Sequence, residues 1–136
     1  MSQTWILPLN LKVMWSSGMK AELLKRGSIW LVGWSPGRGS EQEGIRPALV
    51  VQTDLANQNP KYPNVIIVTI STKGRPLPFH ISVTPTALNG LNQISYIKCE
   101  QILTISKDRL VKYCGFLEAD ILKKVDVAIK GVLNIQ

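Results

Sequence analysis

Apolar runs in this chain stop at strand length, and residues that turn the backbone separate them. "SIWLVGW" (28–34), "RPALVVQ" (46–52), "VIIVTIST" (65–72), "FHISVTP" (79–85) and "QISYIKCEQILTI" (93–105) are rich in β-branched and aromatic residues, the composition that suits a pleated, half-buried surface. Gly, Pro and Asn crowd the gaps, and "RLVKYCGFL" reads as a sixth strand. The period then changes. Ile121, Leu122, Val125, Ala128, Ile129 and Val132 recur at helical spacing, with Lys123, Lys124, Asp126 and Lys130 on the other side. That pattern predicts an amphipathic helix over 118–133, with Glu118 and Asp120 at its positive end. Short strands closed by one helix predict a mainly β fold, a small, partly closed β-barrel capped by the helix. A chain of 136 residues fits one domain. No apolar run is long enough to span a membrane.

Charge narrows the partners. The formal net charge is +7, and no acid occurs between Asp54 and Glu100. Lys61, Lys73, Arg75 and Lys98 lie unopposed in that interval. Such an excess attracts polyanions through counterion release, so RNA or DNA is the first partner to consider, and an acidic protein the second. The two cysteines, Cys99 and Cys114, have no second Cys or His at metal-ligand spacing. Zinc fingers and redox CxxC motifs are excluded, no metal or cofactor is expected, and both thiols should be reduced, buried and inert. The opening "MSQTWILPLNLKVMWSSG" has no basic leader region and no small-residue cleavage site. A cytoplasmic chain is therefore expected.

One loop stands out. "GWSPGRGSEQEGI" holds Gly33, Gly37, Gly39 and Gly44, which makes it long and permissive, and it runs straight into Arg46-Pro47. A phosphate-binding P-loop fails on spacing, because Arg38 stands five residues after Gly33 and no Gly-Lys-Ser/Thr follows. Pro47 holds Arg46 in extended backbone at the strand entrance. A guanidinium there is permanently charged and forked to match phosphate oxygens. The competing reading pairs Arg46 with Glu41 or Glu43 as a structural clasp. In the third strand Thr69 and Ser71 share one face, while Ile66, Val68 and Ile70 share the other. If the second and third strands are neighbours, an arginine and a hydroxyl meet beside the glycine loop. His80, the only histidine, titrates in the range of a general base, but in "PFHISV" it alternates with Phe79 and Ile81 as an ordinary strand residue. A solvated or hydrogen-bonded histidine is the expectation there.

"RGSIWLVGWSPGRGSEQEGIRPALVVQ" resembles the opening of the MazF/PemK family of toxin endoribonucleases, with its GSEQ-x-G-x-RP-x-LV signature. "VIIVTIST", "KGRPLPFHISV" and "IKCEQILTISKDRL" resemble the family's next landmarks in order. The resemblance spans residues 26–133 and leaves 1–25 as an N-terminal extension. It implies a homodimeric SH3-like barrel of about five to seven strands that cleaves single-stranded RNA at short sequence motifs, independently of metal and ribosome. It also implies an antitoxin whose acidic, disordered tail blocks the site. By position the family's catalytic arginine falls on Arg46 and its catalytic hydroxyl, commonly threonine, on Ser71. Arg38, Glu41, Gln42, Lys73 and Arg75 become candidate RNA contacts. The expected products carry 2′,3′-cyclic phosphate and 5′-hydroxyl ends. One rival is a non-nuclease toxin on this fold acting on a protein such as a topoisomerase, which would need no arginine–hydroxyl pair. A second is a non-catalytic RNA-binding barrel, which would want more stacking aromatics than the Phe and Tyr here supply.

Overall fold

The computed structural model describes residues 19–34 and 44–136. The expectations placed on residues 1–18 and on Arg38, Glu41 and Gln42 lie outside the described residues. Helix α1 (Met19–Leu23) leads into β1 (Ser28–Trp34). Then follow β2 (Gly44–Val50), α2 (Asp54–Asn57), β3 (Asn64–Ser71), β4 (His80–Val83), β5 (Ser95–Ser106), a 3-10 turn (Lys107–Arg109), β6 (Leu110–Phe116) and α3 (Ala119–Leu133). All six expected strands and the terminal helix are present.

Their bounds differ where polar side chains intervene. The second strand was expected at 46–52, but the ladder ends at Val50 because Gln52 turns inward. Its amide donates to Asn57 Oδ1 at 3.0 Å and to Asn64 O at 3.1 Å, while Asn57 Nδ2 returns a bond to Gln52 O at 2.9 Å. This buried amide pair folds the following segment into α2, where the sequence suggested only a polar connection. Thr53 caps that turn by accepting from Leu55 N. Lys107 closes it from below, its ammonium donating to the carbonyls of Ala56, Asn57 and Asn59.

The six strands form one antiparallel sheet in the order β4-β5-β3-β2-β1-β6. Both faces are buried near its centre, which is why β1, β2 and β3 read as continuous apolar runs rather than alternating ones. One face gathers Trp30, Val32, Ala48, Val50, Val65 and Ile67 with Leu24 of the α1 segment. The other gathers Ile29, Leu49, Val68, Ile70 and Ile97 beneath Val125 of α3. Full burial of each such side chain contributes about 1.5–3 kcal/mol.

Among the described residues β4 and β6 exchange no ladder bonds, so the sheet stays open where a barrel would close. The turn after β4 fills the gap. Phe116 N donates to Leu88 O at 2.9 Å, joining that turn to β6. A Cβ on Gly115 would sit 2.2 Å from Leu88 O, and one on Gly90 (φ +68°) 2.1 Å from Cys114 O. Only glycine permits this seam of backbone against backbone.

The seam also fixes the start of α3. Glu118, its N-cap residue, accepts from Thr86 Oγ1 at 2.7 Å and from Asn89 Nδ2 at 3.0 Å. Burial raises its pKa, but these bonds and its own backbone N–H outweigh that and hold the carboxyl below the ordinary glutamate value of 4.5. A carboxyl depressed on folding stabilises the native state above its unfolded value, and that contribution disappears as pH falls through the lower folded value. Glu118→Gln should therefore lower the urea midpoint at neutral pH. The gap from wild type should narrow as pH drops below 4.5. A gap that stays constant down to acid pH would show that the carboxylate charge plays no part.

Candidate active site at the open end of the sheet

Antiparallel partners share a face, so the register itself assembles the site. Val32 pairs with Arg46, Ala48 with Thr69, Thr69 with Lys98 and Ser71 with Tyr96. On the far side Lys98 pairs with His80 and Tyr96 with Ser82. The β2–β3 ladder ends at Ala48 and Thr69. Arg46 and Ser71 stand two residues beyond that last pair on their respective strands. Both lie on the face of Trp30, Val32 and Ala48, past the edge of the packed core. Arg46 is exposed and Ser71 half-buried.

Their bonding states differ usefully. The Arg46 side chain has no ion-pair or hydrogen-bond partner among the described residues, and its proposed clasp partners Glu41 and Glu43 fall outside them. Ser71 Oγ accepts from Lys73 N at 3.1 Å, which leaves its hydroxyl proton free to donate. That bond curls the chain after β3, and Gly74 settles on the ring of Tyr96, where a Cβ would come within 2.2 Å of Cγ. Lys73 and Arg75 are thereby exposed beside Ser71, and neither forms an ion pair among the described residues.

His80 anchors this loop. Its side chain is 5% exposed, Nδ1 accepts from Arg75 N at 3.1 Å, and Nε2 lies 2.7 Å from Glu100 Oε2. An Nδ1 that accepts places the ring proton on Nε2, pointing to the carboxylate. Both nitrogens are engaged, which agrees with a hydrogen-bonded strand histidine.

Gln101 was not singled out in the sequence. It sits in a bulge of β5, where the partner register jumps between Val68 and Thr69. The Thr69 hydroxyl donates to Gln101 Oε1, leaving the amide N–H groups without a partner among the described residues. Its only sequence signal was the bend suggested within "IKCEQILTI". Trp34, paired with Gly44 at the root of the glycine loop, holds a buried indole N–H that likewise lacks a partner there.

Other charged and reactive groups are committed to the scaffold. Arg26 bonds Asp126 at 2.8 Å, Val51 O at 2.9 Å and, through its backbone, Asp54. Lys20 donates to Lys107 O at 2.7 Å. Burial pushes the Cys99 thiol up to about 12 and Cys114 to about 11, Glu100 and Asp126 adding to the first. Both are therefore neutral and unreactive at pH 7, although Cys114 is half-buried rather than enclosed as expected. Among the described residues no three His, Cys, Asp or Glu side chains gather as metal ligands, and no helix is long and apolar enough to cross a membrane.

Comparison with known proteins gives a consistent picture. Residues 25–133 match the family described as "PemK-like, MazF-like toxin of type II toxin-antitoxin system". The chain is 35% identical over 108 residues to endoribonuclease EndoA of Bacillus subtilis, covering 79% of this chain and 92% of that protein. It is 36% identical over 116 residues to endoribonuclease MazF of Staphylococcus saprophyticus, covering 83% and 93%. Its fold matches a mycobacterial endoribonuclease solved in complex with its cognate antitoxin. There the TM-score is 0.67 at 22% identity, over 82% of this chain and 96% of that one.

Proposed function

Since the chain belongs to the PemK-like, MazF-like toxin family of type II toxin–antitoxin systems, we propose that it is a cytoplasmic endoribonuclease. It cuts single-stranded RNA at short sequence motifs, without metal or ribosome, as the toxin of an antitoxin pair. The observation that supports this reading is that Arg46 and Ser71 lie on one sheet face beyond the last β2–β3 pair, the Arg46 side chain without a partner among the described residues and Ser71 with a proton to give. Two 35–36% identical relatives are named endoribonucleases. The rival toxin that poisons a protein target would leave that pair without a task.

The chemistry follows from the groups present. The substrate's own 2′-hydroxyl gives up its proton and attacks the adjacent phosphorus, the bond to the 5′-oxygen breaks, and that oxygen takes up a proton in its place. The ends are a 2′,3′-cyclic phosphate and a 5′-hydroxyl. Charge builds on the phosphorane, where the Arg46 fork stabilises it more than in the ground state. Ser71 donates to a nonbridging or leaving oxygen. Lys73 and Arg75 hold flanking phosphates, and Arg38, Glu41 and Gln42 supply further RNA contacts. Gln101, braced by Thr69, is positioned to read a base edge. A homodimer and an antitoxin with an acidic tail covering Arg46, Lys73 and Arg75 complete the reading. The toxin domain corresponds to residues 26–133, with 1–25 as an extension.

The nucleophile comes from the RNA itself, so cleavage of a short single-stranded RNA should persist in excess EDTA. The new 3′ ends should resist direct ligation until the cyclic phosphate is opened. A requirement for added magnesium, or 3′-hydroxyl ends, would overturn the mechanism.

A further inference from the structure

Lys73 and Arg75 sit outside the ladder, on the turn between the end of β3 and the start of β4. No strand fixes their place, so the bonds around them must. At one end Ser71 Oγ accepts from Lys73 N at 3.1 Å. At the other, Leu77 N donates to Arg75 O at 2.7 Å and His80 N to Leu77 O at 3.1 Å. The imidazole of His80 then reaches back from β4, its Nδ1 accepting from Arg75 N at 3.1 Å. That ring is held firmly. Its side chain is 5% exposed, it meets Phe79 edge to face at 5.5 Å between centroids, and Nε2 lies 2.7 Å from Glu100 Oε2.

The bond to Arg75 N tolerates only one charge state. A backbone N–H can only donate, so Nδ1 must offer a lone pair and the single ring proton sits on Nε2. A second proton would fall on Nδ1 and set N–H against N–H. The Arg75 bond then breaks, while the contact with Glu100 gains charge and strengthens. The surrounding charges pull both ways. Glu100 on β5 favours the imidazolium, whereas Lys98, the cross-strand partner of His80, and the turn's own Lys73 and Arg75 oppose it. From α3, Lys123 and Lys124 line a cleft with Glu100 and weaken its pull. Imidazoles change charge between about pH 5 and 8, so the turn is tied to a group that ordinary acidification can reach.

We propose that His80 is a positioning residue for RNA cleavage. Neutral, it holds the Lys73–Arg75 turn beside Ser71 through Arg75 N; protonated, it releases the turn. The inference rests on the cleavage reading and adds to it a second arm of control, remote from the reacting phosphate.

Two substitutions separate the ring's two bonds. His80→Asn keeps an acceptor where Nδ1 stands and loses the donor to Glu100, and it does not titrate. His80→Gln reaches Glu100 but leaves Arg75 N without an acceptor. Steady-state cleavage of a short single-stranded RNA by the full chain is followed from about pH 8 to about pH 5.5. Wild-type KM should rise about three- to tenfold on acidification, the worth of one hydrogen bond, with kcat changing less. His80→Gln should show the raised KM throughout, and His80→Asn the low KM throughout. Hydrogen exchange of the Arg75 amide without RNA gives a readout independent of cleavage. It should be protected at high pH in the wild type and in His80→Asn, and unprotected in His80→Gln. The proposal fails if His80→Gln keeps the wild-type KM and amide protection, or if His80→Asn loses as much as His80→Gln. An acid rise in KM that survives in His80→Asn also overturns it, because another group then titrates. Wild-type protein that cuts no RNA sinks the cleavage reading, while the anchor still stands or falls on the Arg75 amide.

Discussion

Arg46→Ala should reduce single-turnover cleavage of a short RNA by about 10²–10³-fold or more. Ground-state binding should weaken far less, because Lys73 and Arg75, the proposed phosphate contacts, remain. The side chain is exposed and bonds nothing among the described residues, so its removal leaves no buried group unpaired and circular dichroism should be unchanged. Arg46→Lys keeps the charge but loses the fork, and should recover only part of the rate. Ser71 is subtler. Alanine there removes the proposed donor and also the acceptor that holds Lys73 N, so cleavage and RNA affinity should both fall. Ser71→Thr restores the hydroxyl and adds a rotamer restraint, and should retain activity. If folded Arg46→Ala cuts at the wild-type rate, the arginine is a clasp for the glycine loop and the active site lies elsewhere.

What the sequence disclosed depended on whether one residue's neighbours in the chain were also its neighbours in space. Alternation in "VIIVTIST" placed Thr69 and Ser71 on one face because a strand has a fixed period of two, and the ladder then brought Arg46 to the same face. The terminal helix was legible to within a residue at its start, since apolar spacing over 15 residues leaves few alternatives. Gln101 stayed hidden because it sits in a bulge. There the period fails, and only the partner strand reveals which way a side chain turns. The four-residue α2 is too short to carry a period and is held by the Gln52–Asn57 pair. His80 was legible as a strand residue, but not as the anchor of the Lys73–Arg75 loop, because its partner Glu100 lies 20 residues away. The side of α3 that carries Lys123, Lys124, Asp126 and Lys130 read only as the face away from the core. Helical spacing identifies the face that packs, yet says nothing of how far β4 stands from the other one.

Gly115→Ala should destabilise the fold by about 3 kcal/mol or more, lowering Tm by roughly 10 °C. The added carbon would lie 2.2 Å from Leu88 O and 2.7 Å from Asn89 C, both backbone atoms that no side-chain rotation can clear. Relief requires β6 and the turn after β4 to part. That movement breaks the bond from Phe116 N to Leu88 O and pulls Asn89 from Glu118 Oε1. The backbone seam between the turn after β4 and β6 then loosens, and with it the N-terminus of α3. A control separates this crowding from glycine's backbone freedom. Gly44 has φ +81° but its would-be Cβ meets nothing within 4 Å among the described residues, so Gly44→Ala should cost only about 1–2 kcal/mol of left-handed strain. Urea titrations of both variants, followed by tryptophan fluorescence, decide the matter. Equal losses would mean that the seam yields freely and that the sheet does not need its two ends joined.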